Sequence, residues 1–146
     1  GGLWKSRSLL TASCFFVLNG DSFFDFSFSR LSSFHLSHGG MISMSLLSVL
    51  NPRRYGTVLL HSDHHVISFD EKAINPRSHW INGGVLFLSE DVFECYVPDQ
   101  ESFSLEKDVF PLFVSNHSIY GLPFPSDTPF IDIGTPEDLQ RAKDLL

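Results

Sequence analysis

Cysteine is nearly missing from this sequence. Its 146 residues include only Cys14 and Cys95, far apart and in no metal-ligand spacing, which excludes a disulfide framework and makes a reducing cytoplasm the expected compartment. Positive charge is also short, with 10 Lys and Arg against 17 Asp and Glu, for a net charge of -7. That balance argues against a nucleic-acid surface, which carries a basic stripe. It leaves room for a small phosphorylated ligand, because such a ligand needs only a local positive pocket. No apolar run approaches the roughly 18 residues of a membrane span. Lys5 and Arg7 ahead of "LLTASCFFVL" imitate a leader peptide, but Thr11 and Ser13 interrupt the run and no small-residue cleavage site follows. With no repeat, linker or low-complexity tract, one domain spanning residues 1–146 is expected. The chain opens on Gly1-Gly2 without a Met, so the downstream part of a longer protein is expected.

What is present is core-forming material: 42% hydrophobic residues, 15 of the 146 being Phe, with 18% charged. That composition reads as a globular domain able to bury a core. Residues 3–10 suit a short helix, and "FFVL" suits a parallel strand covered on both faces. Leu31, Phe34 and His38 recur at helical spacing, with Ser27 as cap and Gly39-Gly40 as stop. With "MISMSLLSVL" following, the reading is a βαβ unit. "TVLL" and "HVISF" flank "HSDHH" as a hairpin. A strand is expected from "WINGGVLFLS", with its two glycines ahead of it, and a short helix from "SEDVFECY". "FSLEKDVFPLF" places Leu105, Val109 and Leu112 on one face, with Ser104 as a possible cap. "SIYGLPF" and "FIDIG" are strands. The last helix is capped by Thr135, with Pro136 first, Glu137 and Asp138 at its positive end, and Leu139, Ala142 and Leu146 as its inward stripe.

In open α/β sheets ligands gather beyond the carboxyl ends of strands. Asp21 stands there after "FFVLNG", and Asp132 lies in "FIDIG". If the fold brings them together, the two carboxylates repel unless a cation lies between them. Mg²⁺ completed by phosphate oxygens matches so few hard oxygen donors. On spacing alone the pair reads sooner as a loop acid and a half-buried, satisfied acid, since isolated acids at strand ends are common. Lys72 in "DEK" reads as a solvated surface lysine. Gly83-Gly84 in "INGGV" suggest either a close approach of backbone or ligand, or a tight turn, and Asn82 offers a donor and an acceptor. His61, His64 and His65 surround Asp63, which suggests a metal or an exposed hairpin turn away from the two aspartates. His35 and His38 share a helix at chelating spacing, or mark an exposed helix end. Phe23, Phe24, Phe26 and Phe28 read as packing.

Taken in order, "FFVLNGDSFFDF", "RRYGTV", "FDEK", "WINGGVLFLS", "FSLEKDVFP", "YGLPF" and "FIDIGTPEDLQRA" resemble the sugar-1-phosphate nucleotidyltransferases. The likeness is nearest to the D-glycero-D-manno-heptose 1-phosphate and mannose-1-phosphate guanylyltransferases, and it runs through almost the whole chain. The resemblance implies a Rossmann-like α/β fold with a mixed, mostly parallel sheet and an inserted hairpin. It also implies transfer of GMP from GTP to a heptose or mannose type of sugar 1-phosphate, with Mg²⁺ and release of pyrophosphate, in the making of lipopolysaccharide or capsule precursors. By the same resemblance Asp21 and Asp132 would hold the metal, Lys72 the sugar phosphate and Glu71 the sugar hydroxyls. Gly56, Asn82 and Gly83 would wall the sugar, and Gly1 and Gly2 would border the base. Leu3 stands where a small residue is usual. The family's glycine-rich triphosphate loop, with its Arg and Lys, would fall before residue 1. The chain is therefore expected to be an N-terminally truncated domain, inactive alone. The alternative is a noncatalytic sugar-nucleotide-binding or regulatory module.

Overall fold

The computed structural model describes residues 2–72, 74–96 and 103–145. A short helix, α1 (Gly2–Ser6), runs into a tight 3-10 turn, Arg7–Leu9, and strand β1 (Cys14–Leu18) follows. After the Asn19–Asp21 turn comes the three-residue strand β2 (Ser22–Phe24), and then helix α2 (Phe28–His38). The expected punctuation of α2 is present. Ser27 Oγ accepts from the Arg30 N–H at 3.2 Å. Gly39 adopts the left-handed conformation at φ 66° that favours a residue without Cβ. Leu31 and His35 are its buried residues, so His35 belongs to the core and not to an exposed helix end.

Strand β3 (Ile42–Ser48) leads through the 3-10 turn Pro52–Arg54 to the hairpin of β4 (Gly56–Leu60) and β5 (Val66–Glu71). The long strand β6 (Trp80–Ser89) comes next, then a one-turn helix α3 (Val92–Cys95). Further on lie a π-helical turn (Leu105–Val109), helix α4 (Phe110–Ser115), strands β7 (Ile119–Pro123) and β8 (Phe130–Asp132), and helix α5 (Pro136–Leu145). Among the described residues no helix is long and apolar enough to cross a membrane.

The main sheet runs β5–β4–β6–β3–β7, with β1 also paired to β6. The sheet is mixed, as expected, but not mostly parallel: β3–β7 is parallel, while β1–β6, β3–β6, β4–β5 and β4–β6 are antiparallel. The strands flanking α2, β1 and β3, do run the same way. They are not neighbours, because β6 lies between them. An apolar run carries no mark of its direction, which is why the reading of "FFVL" as a parallel strand failed. β1 is also only half-buried, not covered on both faces.

β3 separates two cores by its pleat. Ile42, Met44 and Leu46 pack toward Val58, Leu88, Phe110 and Phe113 on one face, and Leu47 joins Leu31, Ile81, Phe87 and Leu122 on the other. Ser43 and Ser45 are fully buried on the second face. Both are satisfied, Ser43 Oγ with His35 Nδ1 at 2.9 Å and Ser45 Oγ donating to the Val85 carbonyl at 2.9 Å.

Three local expectations change. The glycines of "INGGV" lie inside β6, where the register against β3 shifts and Gly84 takes φ 78°. The wider winding of the π turn buries Val109, Phe110 and Phe113, in place of a Leu105–Val109–Leu112 face. In α5 the inward residues are Asp138 and Ala142, whereas Leu139 is 46% exposed; Leu146 lies outside the described residues.

Candidate functional site

β2 and β8 form a two-stranded antiparallel ribbon in which Ser22 pairs with Asp132. The Ile133 N–H donates to the Asp21 carbonyl at 2.9 Å. This closure holds Asp21 and Asp132 at the same end of the ribbon although 111 positions separate them (132 − 21). Both line one cavity of about 180 Å³, so the fold brings the two residues to the same cleft. Among the described residues neither has a salt-bridge partner.

The opposite wall comes from the hairpin and β6. Gly56 opens β4 and pairs with Glu71 at the end of β5. A Cβ at Gly56 would collide with the Phe69 ring and lie 2.9 Å from Glu71 Oε2, so any side chain there would push both aside. Asn82 Oδ1 accepts from the Gly84 N–H at 3.0 Å, which fixes the orientation of its amide. Lys72 follows β5 at φ 49°, an unusual conformation for a residue with a side chain, and its N–H donates to the Tyr55 carbonyl at 3.3 Å. Its ammonium is 3.9 Å from Glu71 Oε1 and its side chain 70% exposed, so Lys72 sits at the cavity rim and not in its depth. Gly56, Glu71, Lys72 and Asn82 all line the cavity.

Two expected wall residues lie elsewhere. Gly83 is not in the lining. It is buried, and a Cβ on it would meet the Phe24 ring at 2.8 Å and Ser45 Oγ at 3.0 Å. Its lack of a side chain admits the ring of the second core, which sequence spacing cannot distinguish from admitting a ligand. Gly2 is exposed at the start of α1, also away from the lining, and Gly1 lies outside the described residues.

Arg54, Tyr55 and Glu106 line the cavity too, and the sequence reading did not single them out. Arg54 follows a turn-forming proline and resembles an ordinary loop cation. Its guanidinium is held by Asp138 of α5 at 2.8 Å. That hydrogen bond, with a further one from Thr135, keeps the Asp138 carboxyl below the usual carboxylate range. Burial pushes the Tyr55 hydroxyl up. Glu106 reaches the cavity from the π turn, where its Oε2 accepts from Ser104 Oγ at 2.7 Å. The lining thus carries four carboxylates (Asp21, Glu71, Glu106, Asp132) against two cations (Arg54, Lys72). An anionic ligand entering this cavity meets net repulsion until a further positive charge is supplied. Asp21 and Asp132 offer hard oxygen donors with no salt-bridge partner among the described residues, the donor type that hard divalent ions take.

Comparison with known proteins gives the family to which this chain belongs. Residues 2–146 match the family model described as nucleotidyl transferase. The chain is 33% identical over 143 residues to D-glycero-alpha-D-manno-heptose 1-phosphate guanylyltransferase of Aneurinibacillus thermoaerophilus, covering 98% of this chain and 60% of that protein. It is 34% identical over 140 residues to the mannose-1-phosphate guanylyltransferase catalytic subunit beta of Drosophila pseudoobscura pseudoobscura, covering 94% of this chain and 37% of that one. Among solved structures it superposes on HddC from Yersinia pseudotuberculosis with a TM-score of 0.81 at 29% identity, across 98% of this chain and 60% of that chain. HddC complexed with GMP-PN gives 0.77 at 27% identity, with the same coverage. The chain therefore spans 60% and 37% of the length of these two guanylyltransferases, and over residues 2–146 it belongs to the nucleotidyl transferase family.

Proposed function

We propose that this chain carries the sugar-phosphate and metal side of a sugar-1-phosphate guanylyltransferase. The supporting observation is the single cavity in which Asp21 and Asp132 face Gly56, Glu71, Lys72 and Asn82. In this reading an oxygen of the sugar 1-phosphate attacks the α-phosphorus of GTP. A new P–O bond forms as the bond to the leaving pyrophosphate breaks. No side-chain nucleophile is needed, because the attacking phosphate is already ionised, and catalysis reduces to alignment and charge.

Asp21 and Asp132 would hold the metal, and Mg²⁺ bound there would offset the charge of the two anionic reactants. Lys72 and Arg54 draw the sugar phosphate to the rim. Lys72 is a mobile point charge, whereas Arg54 is held in place by Asp138. Glu71 and Asn82 accept and donate to sugar hydroxyls, and the bare backbone of Gly56 lets the ring approach. The names of the relatives support mannose or heptose 1-phosphate as the acceptor, and the GMP-PN complex of HddC supports a guanine nucleotide as donor. The reaction belongs to nucleotide-sugar synthesis in the cytoplasm. Residue-resolved NMR of the labelled chain tests it: mannose or heptose 1-phosphate with Mg²⁺ should shift the amides of Gly56, Lys72 and Asn82 saturably. Shifts confined to other parts of the chain, or none, would overturn the reading.

A further inference from the structure

The β4–β5 turn lies at the opposite end of the hairpin from Glu71 and Lys72, and it gathers donors that the cavity does not use. His61 Nδ1 is 3.0 Å and His65 Nδ1 2.6 Å from the same Asp63 oxygen, Oδ1. The three ligand atoms all lie within 4.8 Å of one another. Donors at about 2.0–2.2 Å from a tetrahedral zinc ion would be separated by roughly 3.3–3.6 Å, so the two nitrogens and the Asp63 oxygen would move apart by about an ångström or less to admit the ion, displacing the hydrogen bonds that now join them. We propose that His61, Asp63 and His65 form a zinc-binding site, distinct from the cleft at Asp21 and Asp132.

The turn is built to hold that shape. The His61 N–H donates to the His65 carbonyl at 3.0 Å, and the His64 N–H to the His61 carbonyl at 3.1 Å. The His65 N–H donates to Asp63 Oδ1 at 3.1 Å. His64 supplies the reversal at φ 72°, and its carbonyl accepts from the Gly121 N–H at 2.9 Å, pinning the turn to β7. Two imidazoles and one carboxylate form a borderline donor set that suits Zn²⁺ and gives little to Mg²⁺, which prefers oxygen alone. To hold the ion both rings would ligate through Nδ1, the proton that each Nδ1 now directs at Asp63 Oδ1 passing by way of solvent to Nε2. His61 and Asp63 are exposed, so the fourth position is open to water. The ion would staple the turn that joins β4 to β5.

The test is a Zn²⁺ titration of the 146-residue chain, first stripped with chelator, against a chromogenic competitor and in excess Mg²⁺. One Zn²⁺ per chain should bind. His61→Ala and Asp63→Asn, both at exposed positions where folding can be checked by circular dichroism, should each weaken binding at least about tenfold, the loss expected even for outer partners of a metal ligand. Asp21→Asn should leave it unchanged. No stoichiometric binding, full affinity in His61→Ala and Asp63→Asn, or loss in Asp21→Asn would each overturn the assignment.

Discussion

At Gly56 a single methyl group would have to displace the Phe69 ring and the Glu71 carboxylate. The missing Cβ makes room for Phe69, whose ring lies edge-on to Phe110 at 5.0 Å. Gly56→Ala should therefore strain the hairpin by about 1–3 kcal/mol, lowering the melting temperature and weakening sugar-phosphate binding together. An unchanged melt would show that Phe69 yields freely. His35 makes a second residue-scale prediction. It is 3% exposed and bonded to Ser43 and Ser89, and burial lowers its pKa below the ordinary 6.5. The unfolded histidine thus takes up a proton more readily than the folded one. Its contribution to stability is full above about pH 6.5 and falls as the pH drops from there toward the lowered folded value. Melting temperatures measured between pH 7.5 and 5.5 should decline, with a shallower slope in His35→Gln. Equal slopes would remove His35 from the explanation.

At the scale of elements, α5 matters because its first turn holds Arg54, a residue of the cleft. Thr135 Oγ1 accepts from the Asp138 N–H at 3.1 Å and donates to Asp138 Oδ2 at 2.8 Å, while Asp138 holds Arg54. Thr135→Ala should cost about 1 kcal/mol by thermal or urea unfolding. Asp138→Asn should free Arg54 and weaken phosphate binding without touching ligand. The caps of α2 and α5 and the β4–β5 hairpin were legible in the sequence, because capping and turn chemistry are local. The pairing of β6 with β1, β3 and β4 was not, since strand partners and directions are chosen by the whole sheet. Asp21 and Asp132 were legible as acids at strand ends with a glycine within two residues. Arg54 and Glu106 were not, because each becomes part of the cleft only when α5 or the π turn packs in place. Gly83 and Leu139 misled for a related reason: spacing marks a small or apolar residue but not which surface it faces.

At the scale of the molecule, the cleft is more acidic than the anions it is proposed to receive can tolerate without a cation. The chain spans 60% of the A. thermoaerophilus relative, and its 146 residues contain no glycine-rich loop followed by Arg and Lys. Alignment of reacting groups can supply about 7 to 11 kcal/mol, and losing a third of that slows a reaction on the order of a hundredfold. Pyrophosphate release from GTP by this chain alone should accordingly fall at least about a hundredfold below that of the full-length relative. Comparable rates would show that the 146 residues suffice. The most direct test is calorimetric titration of mannose or heptose 1-phosphate into the chain, with Mg²⁺ and with chelator, for the wild type and for Asp21→Asn combined with Asp132→Asn. The expected result is one site per chain, weakened at least about tenfold by chelation in the wild type. The double variant should gain nothing from Mg²⁺, and without Mg²⁺ it should bind as well as the wild type or better, since two repelling carboxylates are gone. Equal affinity with and without Mg²⁺ in the wild type, or an undiminished Mg²⁺ effect in the double variant, would contradict a metal-bridged sugar-phosphate site at Asp21 and Asp132.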